Sequence, residues 1–223
     1  VRIFLKLGIS IILIPFIVGY STALFEIIKI YIHSYRQHWE FLTGAGSGLL
    51  LFPIMHRNKF MRTFEHEMTH LIFAKIFFGK IKELNVSSEG EGYVEYSSAQ
   101  NPFIGLSPYF FPLFSAVFAG LIPLLNPAFS RYLFIAIGYF LIFHLLSAIT
   151  EIFSLQLDIK QEGIIFSLVF ITFFMIFCYG IIISEAISYH QILIFLKTGF
   201  FKSLSMLISI KDYILSLIII HRP

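Results

Sequence analysis

From Ile164 to Ser184 the chain carries no charged residue. A helix of that length covers the roughly 30 Å hydrocarbon of a bilayer, and a helix that is apolar on every side has to be surrounded by apolar material. Residues 7–25 repeat the pattern, and residues 132–153 do so apart from Glu151 near their end. Such helices can hide inside a large soluble core, but this chain has 223 residues, is 57% hydrophobic and is only 13% charged. An ordinary soluble domain has about 25% charged residues, so there is too little polar surface here to wrap that core. The chain is therefore expected to be mainly α, a polytopic membrane helix bundle of about five to six membrane segments. It forms one integral membrane domain over residues 1–223, with the lipid bilayer as its first partner.

The run at 7–25 lacks a small-residue cleavage site and reads as a span rather than a removable leader. Residues 27–40 read as an interfacial connector with Lys29, His33, Arg36 and His38, anchored by Trp39. Residues 41–55 are apolar but short of the roughly 20 that a full crossing takes. Gly44, Gly46 and Gly48 suit close helix contact there, and a tilted or re-entrant piece is the alternative. His56, Arg57, Asn58, Lys59 and Arg62 form the densest basic cluster, which points to a cytoplasmic face. Residues 101–125 are interrupted by Pro102, Pro108, Pro112 and Pro123, so a helix there is kinked or discontinuous. The C-terminal tail, 189–223, mixes apolar runs with Lys197, Lys202, Lys211, Asp212 and Arg222. It reads as an amphipathic interfacial helix with room for a further insertion at 213–220. A scattered net charge of +3 speaks against nucleic acid as a partner. The lone Cys178 rules out an intrachain disulfide or a cysteine-based metal cluster.

Against this background, residues 64–70 read Phe-Glu-His-Glu-Met-Thr-His. In a helix over 60–78, ended by Gly79 as its cap, His66 and His70 lie one turn apart on one face, so both imidazoles can reach a single ion. Glu67 projects beside them, placed to accept a proton from water rather than to bind the metal, and zinc is the expected cofactor. Two histidines make half a site, since a catalytic zinc takes three protein ligands. Only two aspartates exist, and Asp212 lies in the charged tail. Asp158, Glu151 and His144 fall seven residues apart, forming with Ser147 and Ser154 a polar stripe on an apolar helix. Ionisable groups in a span face a partner. The stripe either bonds neighbouring helices or supplies the third ligand, in the order Asp158, His144, Glu151. After the motif helix, residues 80–98 read as a β-hairpin turning at Glu89-Gly90-Glu91-Gly92, with an edge open to an extended peptide.

The block 64–70, the hairpin sequence Gly92-Tyr93-Val94-Glu95-Tyr96, and Asn101 with Leu106-Ser107-Pro108-Tyr109-Phe110-Phe111-Pro112 together resemble the site-2 protease superfamily, in its compact bacterial branch. The resemblance covers about 56–163, the expected catalytic core. It implies intramembrane proteolysis of membrane-embedded or membrane-adjacent proteins in the bacterial inner membrane. His66 and His70 match two zinc ligands, Glu67 the general base, and Asp158 the aspartate of a later helix, here in Leu157-Asp158-Ile159 rather than a Leu-Asp-Gly run. The alternative is a non-catalytic zinc-binding membrane protein or transporter. If the motif helix, 101–125 and 132–153 all crossed the membrane, His66 and Asp158 would sit on opposite faces, about 30 Å apart. Their meeting requires that one segment fails to cross.

Overall fold

A computed structural model describes residues 2–55, 57, 59–87, 90–97 and 101–220. His56, Asn58, Glu89 and Arg222, named above, and residue 98, the expected end of the hairpin, lie outside the described residues. The chain is mainly helical. In order, the elements are α1 (Arg2–His33), α2 (Trp39–Met55), α3 (Lys59–Ile76), β1 (Lys80–Val86), β2 (Gly92–Ser97), α4 (Pro102–Gly105) and α5 (Ser107–Phe110). Then come α6 (Leu113–Leu121), two 3-10 turns, α7 (Ser130–Phe153), α8 (Leu157–Glu162), α9 (Ile164–Glu185) and α10 (Tyr189–Ile220).

Among the described residues, four helical stretches are long and apolar enough to cross a membrane: Ile3–His33, Ser130–Phe153, Ile164–Glu185 and Tyr189–Leu217. Their outward faces are apolar; Phe4 and Ile165 are 80% and 77% exposed, as lipid-facing side chains are. Two expectations change. The connector at 27–40 is mostly helix, because α1 runs through Pro15 as far as His33, a proline that helices in lipid tolerate. The tail is one continuous helix, unbroken ahead of 213–220 where a separate insertion was expected. It packs along α1, where Tyr20 meets Phe195 edge-on at 5.4 Å between ring centroids. There Lys202 gives its charge to Glu26 at 2.6 Å, which lowers the cost of carrying it into an apolar helix.

The short helix α2 packs lengthwise on α7. A Cβ on Gly44 would strike the carbonyl of Ile135, and one on Gly138 the carbonyl of Phe41, so the backbones touch as small residues allow. Gly46 faces open space instead. Three apolar clusters join the bundle: α2 with α7 and α9, α5 with α8 and α9, and α1 with α9 and α10.

The prolines break 101–125 as expected. Pro102 and Pro108 open α4 and α5, and the chain straightens at Phe111-Pro112 before α6 starts. From Pro108 to Leu121 the segment runs antiparallel to α7: the Pro108 carbonyl meets His144, and Ser115 Oγ donates to the Ile137 carbonyl at 3.0 Å. Helix α7 thus climbs back to the level of α3. The two antiparallel strands pair from Lys80 with Ser97 to Val86 with Gly92, with an irregularity at 81–83, and they lie against α3. Helix α3 ends in a way its sequence conceals. Phe78, not Gly79, takes the left-handed conformation at φ 59°, and Gly79 donates its N–H to the Ala74 carbonyl, too close for any Cβ.

Candidate metal centre

His66 and His70 face one another across one turn of α3, Nε2 to Nε2 at 3.2 Å. Asp158 arrives from another element. Helix α7 stops at Phe153, the chain reverses through 154–156 with Leu155 at φ 48°, and α8 places the Asp158 carboxylate over the histidines. Its Oδ2 lies 3.7 Å from Nε2 of His66 and 3.6 Å from Nε2 of His70. His66, His70 and Asp158 are thus a group able to hold a metal ion.

The tautomers sharpen the point. His70 Nδ1 lies 2.8 Å from the carbonyl of Ile104, which can only accept, so the ring proton is on Nδ1. His66 Nδ1 lies 3.1 Å from Oε2 of Glu151, again an acceptor. Both neutral rings therefore turn lone pairs on Nε2 toward a carboxylate oxygen. A triangle of three acceptors is repulsive unless a cation sits within it. Tetrahedral ligands on bonds of about 2.0–2.1 Å stand ~3.3 Å apart, close to the three separations here. Two imidazoles and a carboxylate suit a first-row divalent ion, without singling out one metal.

Without a metal ion, a proton supplies the positive charge. Burial opposes it, yet hydrogen bonds to Asp158 and Glu151 and the charges of Glu151 and Glu67 push His66 up to about 10. Burial would raise Asp158, but its bonds to His66 and His70 hold that carboxyl well below the usual carboxylate range. Glu67 is half-buried; burial lifts its carboxyl above the ordinary value, and the two histidines only partly offset this. It borders a cleft of about 350 Å³ lined by Arg62, His66, Glu67, Glu91, Glu151 and Gln156, among others. The hairpin turn roofs the cleft: Thr63 Oγ1 donates to the Gly90 carbonyl at 3.0 Å. A Cβ on Gly92 would come within 2.5 Å of Thr63 Cγ2 and 3.0 Å of Glu67 Cγ.

Of the three stripe residues weighed as ligands, Asp158 alone joins the triangle. Glu151 orients His66 and also lies 3.5 Å from Arg62 Nε. His144 is turned away and committed elsewhere. Its Nε2–H donates to the Pro108 carbonyl at 3.0 Å, and its Nδ1 accepts from the Tyr179 hydroxyl at 2.6 Å. The spacing by sevens treats the stripe as one helix, whereas the break at 154–156 puts Asp158 on its own short one.

Two residues escaped the sequence reading. Tyr109, fully buried, brings its hydroxyl to 3.2 Å from Asp158 Oδ2 and 3.1 Å from Gln156 Oε1. Glu65 is also buried; burial lifts its carboxyl above the ordinary value, and the backbone N–H groups of Phe114 and Leu113, at the start of α6, only partly offset this. A carboxylate placed before a proline-freed helix start was the available signal. No family model matches the chain, and neither a curated protein nor a solved structure does.

Proposed function

We propose that this chain is an intramembrane zinc metalloprotease of the site-2 protease type, hydrolysing peptide bonds of membrane-embedded or membrane-adjacent proteins in a bacterial inner membrane. The observation that carries the reading is the convergence of His66 Nε2, His70 Nε2 and Asp158 Oδ2, with Glu67 beside them on the wall of an open cleft. His66, His70 and Asp158 would hold the zinc ion, which when bound supplies Lewis acidity toward water and the scissile carbonyl. Glu67 takes the proton from the attacking water and hands it to the leaving amine. Its partial burial, by raising the carboxyl, brings its proton affinity closer to what both steps need. Glu151 and the Ile104 carbonyl keep each histidine proton on Nδ1 and the metal-facing nitrogen bare. An extended substrate pairs with a free edge of the two-stranded sheet. In this reading α2 and α6, too short to cross alone, are partial membrane segments that bring the four spans to about five or six.

The test is Glu67→Gln. Metal content should stay at the wild-type level while cleavage of a membrane-protein substrate in proteoliposomes falls by ~10²–10⁴. A variant that still cleaves sinks the peptidase assignment. Cleavage absent even in the wild type, with metal bound, favours the non-catalytic metal-binding alternative. His70→Ala and Asp158→Ala should each leave only weak, residual metal binding.

A further inference from the structure

We propose that Tyr109 is a positioning residue for the third ligand: its hydroxyl, donating to Oδ2 of Asp158, holds that oxygen in the triangle with the two histidine nitrogens. The inference rests on the metal-site reading above and extends it beyond the ligands.

Asp158 needs such an anchor. It sits on a helix of six residues, too short to be stable without packing, and its side chain is 29% exposed. A carboxylate free to rotate there would leave the triangle much of the time. Tyr109 is fully buried and stands edge-on to the His66 ring, at 5.4 Å and 88°, so its position is fixed by packing. Its phenol carries one proton and faces two acceptors, Asp158 Oδ2 and Gln156 Oε1. The charged carboxylate is the stronger acceptor and takes the proton. The Gln156 amide, turned over, presents its NH₂ to the phenol oxygen. The order of donation is then Gln156 to Tyr109 to Asp158.

The tyrosine is itself braced from the membrane side. It lies on α5, where the Pro108 carbonyl accepts from His144, whose other nitrogen accepts from Tyr179 on α9. Tyr109 and Ile159, the residue after Asp158, belong to one buried apolar cluster. The polar path Tyr179–His144–Pro108 therefore ends at the segment that fixes the third ligand. That gives the span histidine a part to play without touching the ion.

The experiment is Tyr109→Phe, read by Co²⁺ binding to the full chain in detergent, with no peptide substrate present. Phenylalanine keeps the ring against His66 and removes only the hydroxyl. Affinity for Co²⁺ should fall ~10–100-fold, the usual effect of losing such an orienting partner, and the visible d–d absorption of the bound ion should change. In an Asp158→Ala background the same substitution should cost nothing further. Tyr96→Phe is the control, since Tyr96 feels the charge of Asp158 but makes no hydrogen bond to it among the described residues. Wild-type affinity and an unchanged spectrum in Tyr109→Phe overturn the proposal, as does an equal loss in the Asp158→Ala background, which would mark a general packing role. A wild-type chain that takes up no Co²⁺ overturns the metal site itself, and this inference with it. A failure of peptidase activity alone leaves the readout untouched.

Discussion

The bond from His66 Nδ1 to Glu151 links the motif helix to a membrane-crossing helix, and its worth can be put in numbers. Glu151 is buried, with Oε2 3.1 Å from Nδ1. A hydrogen bond to a charged group contributes about 1.5–3 kcal/mol, and each 1.4 kcal/mol is roughly a factor of ten. If that bond keeps the proton on Nδ1 and Nε2 free for the ion, Glu151→Leu should weaken metal binding ~10–100-fold. Glu151→Gln retains an oxygen in the same place without the charge, and a neutral acceptor is roughly half as strong, so it should fall between the wild type and Leu. The assay is competition with a chromogenic chelator in detergent at fixed neutral pH. Glu26→Gln serves as a control, because it breaks an exposed ion pair with Lys202 on another helix pair. Wild-type affinity in Glu151→Leu, or Gln binding more weakly than Leu, would refute the tautomer argument.

Gly92→Ala should leave metal affinity unchanged, since none of the described hairpin residues joins the metal-holding group. The new methyl would lie 2.5 Å from Thr63 Cγ2 and 3.0 Å from Glu67 Cγ, so overpacking should cost about 1–3 kcal/mol in thermal unfolding and depress turnover by shifting Glu67. Equal turnover would show that the turn does not press on that carboxylate. Metal uptake should be proton-coupled. With His66 pushed up to about 10 in the metal-free chain, a metal must displace its proton. Affinity should therefore rise about tenfold per pH unit through neutrality and level off near pH 10. Calorimetry in buffers of different ionisation enthalpy counts the proton released at pH 8, and zero would refute the assignment.

The readable parts of this site were those coded by local periodicity. His66, Glu67 and His70 needed only 3.6 residues per turn, and the spans needed only long apolar runs. Asp158 was reached by a pattern whose geometry does not hold: the sevens assume one helix from His144 onward, but α7 stops at Phe153. The reversal at 154–156 has no proline or glycine, and Leu155 carries the positive φ, so nothing local announces it. Asp158 meets the two histidines instead because α8 folds back over the same end of the bundle to which the stripe points. His144 misled for the opposite reason. A histidine on a polar stripe invites a ligand role, whereas its partners are a carbonyl 36 residues away and a hydroxyl 35 away, which no spacing rule encodes. Glu65 and Tyr109 are likewise hard to read: Glu65 faces the helix start that Pro112 leaves free, and Tyr109 reaches an aspartate 49 residues on.

Those prolines also fix how deep the chemistry lies. As one unbroken crossing, 101–125 would carry the chain to the far face, and α7 would deliver Glu151 and Asp158 away from His66. Instead α4 and α5 stay beside α3, where Ile104 meets His70, and only α6 and its 3-10 turn lead away before α7 returns. Helix α7 has 24 residues, about 36 Å at 1.5 Å each, which exceeds the roughly 30 Å of hydrocarbon. Glu151 stands two residues before its end and Asp158 just beyond it. With α7 as a span, the triangle lies at the edge of the bilayer and not at its middle, beside a polar cleft lined by Arg62, Glu91 and Gln156. Under the proposed function, a peptide bond cut here would have to come to that edge, so a substrate segment would have to unwind or end there, and a helix lying wholly within the hydrocarbon would be out of reach.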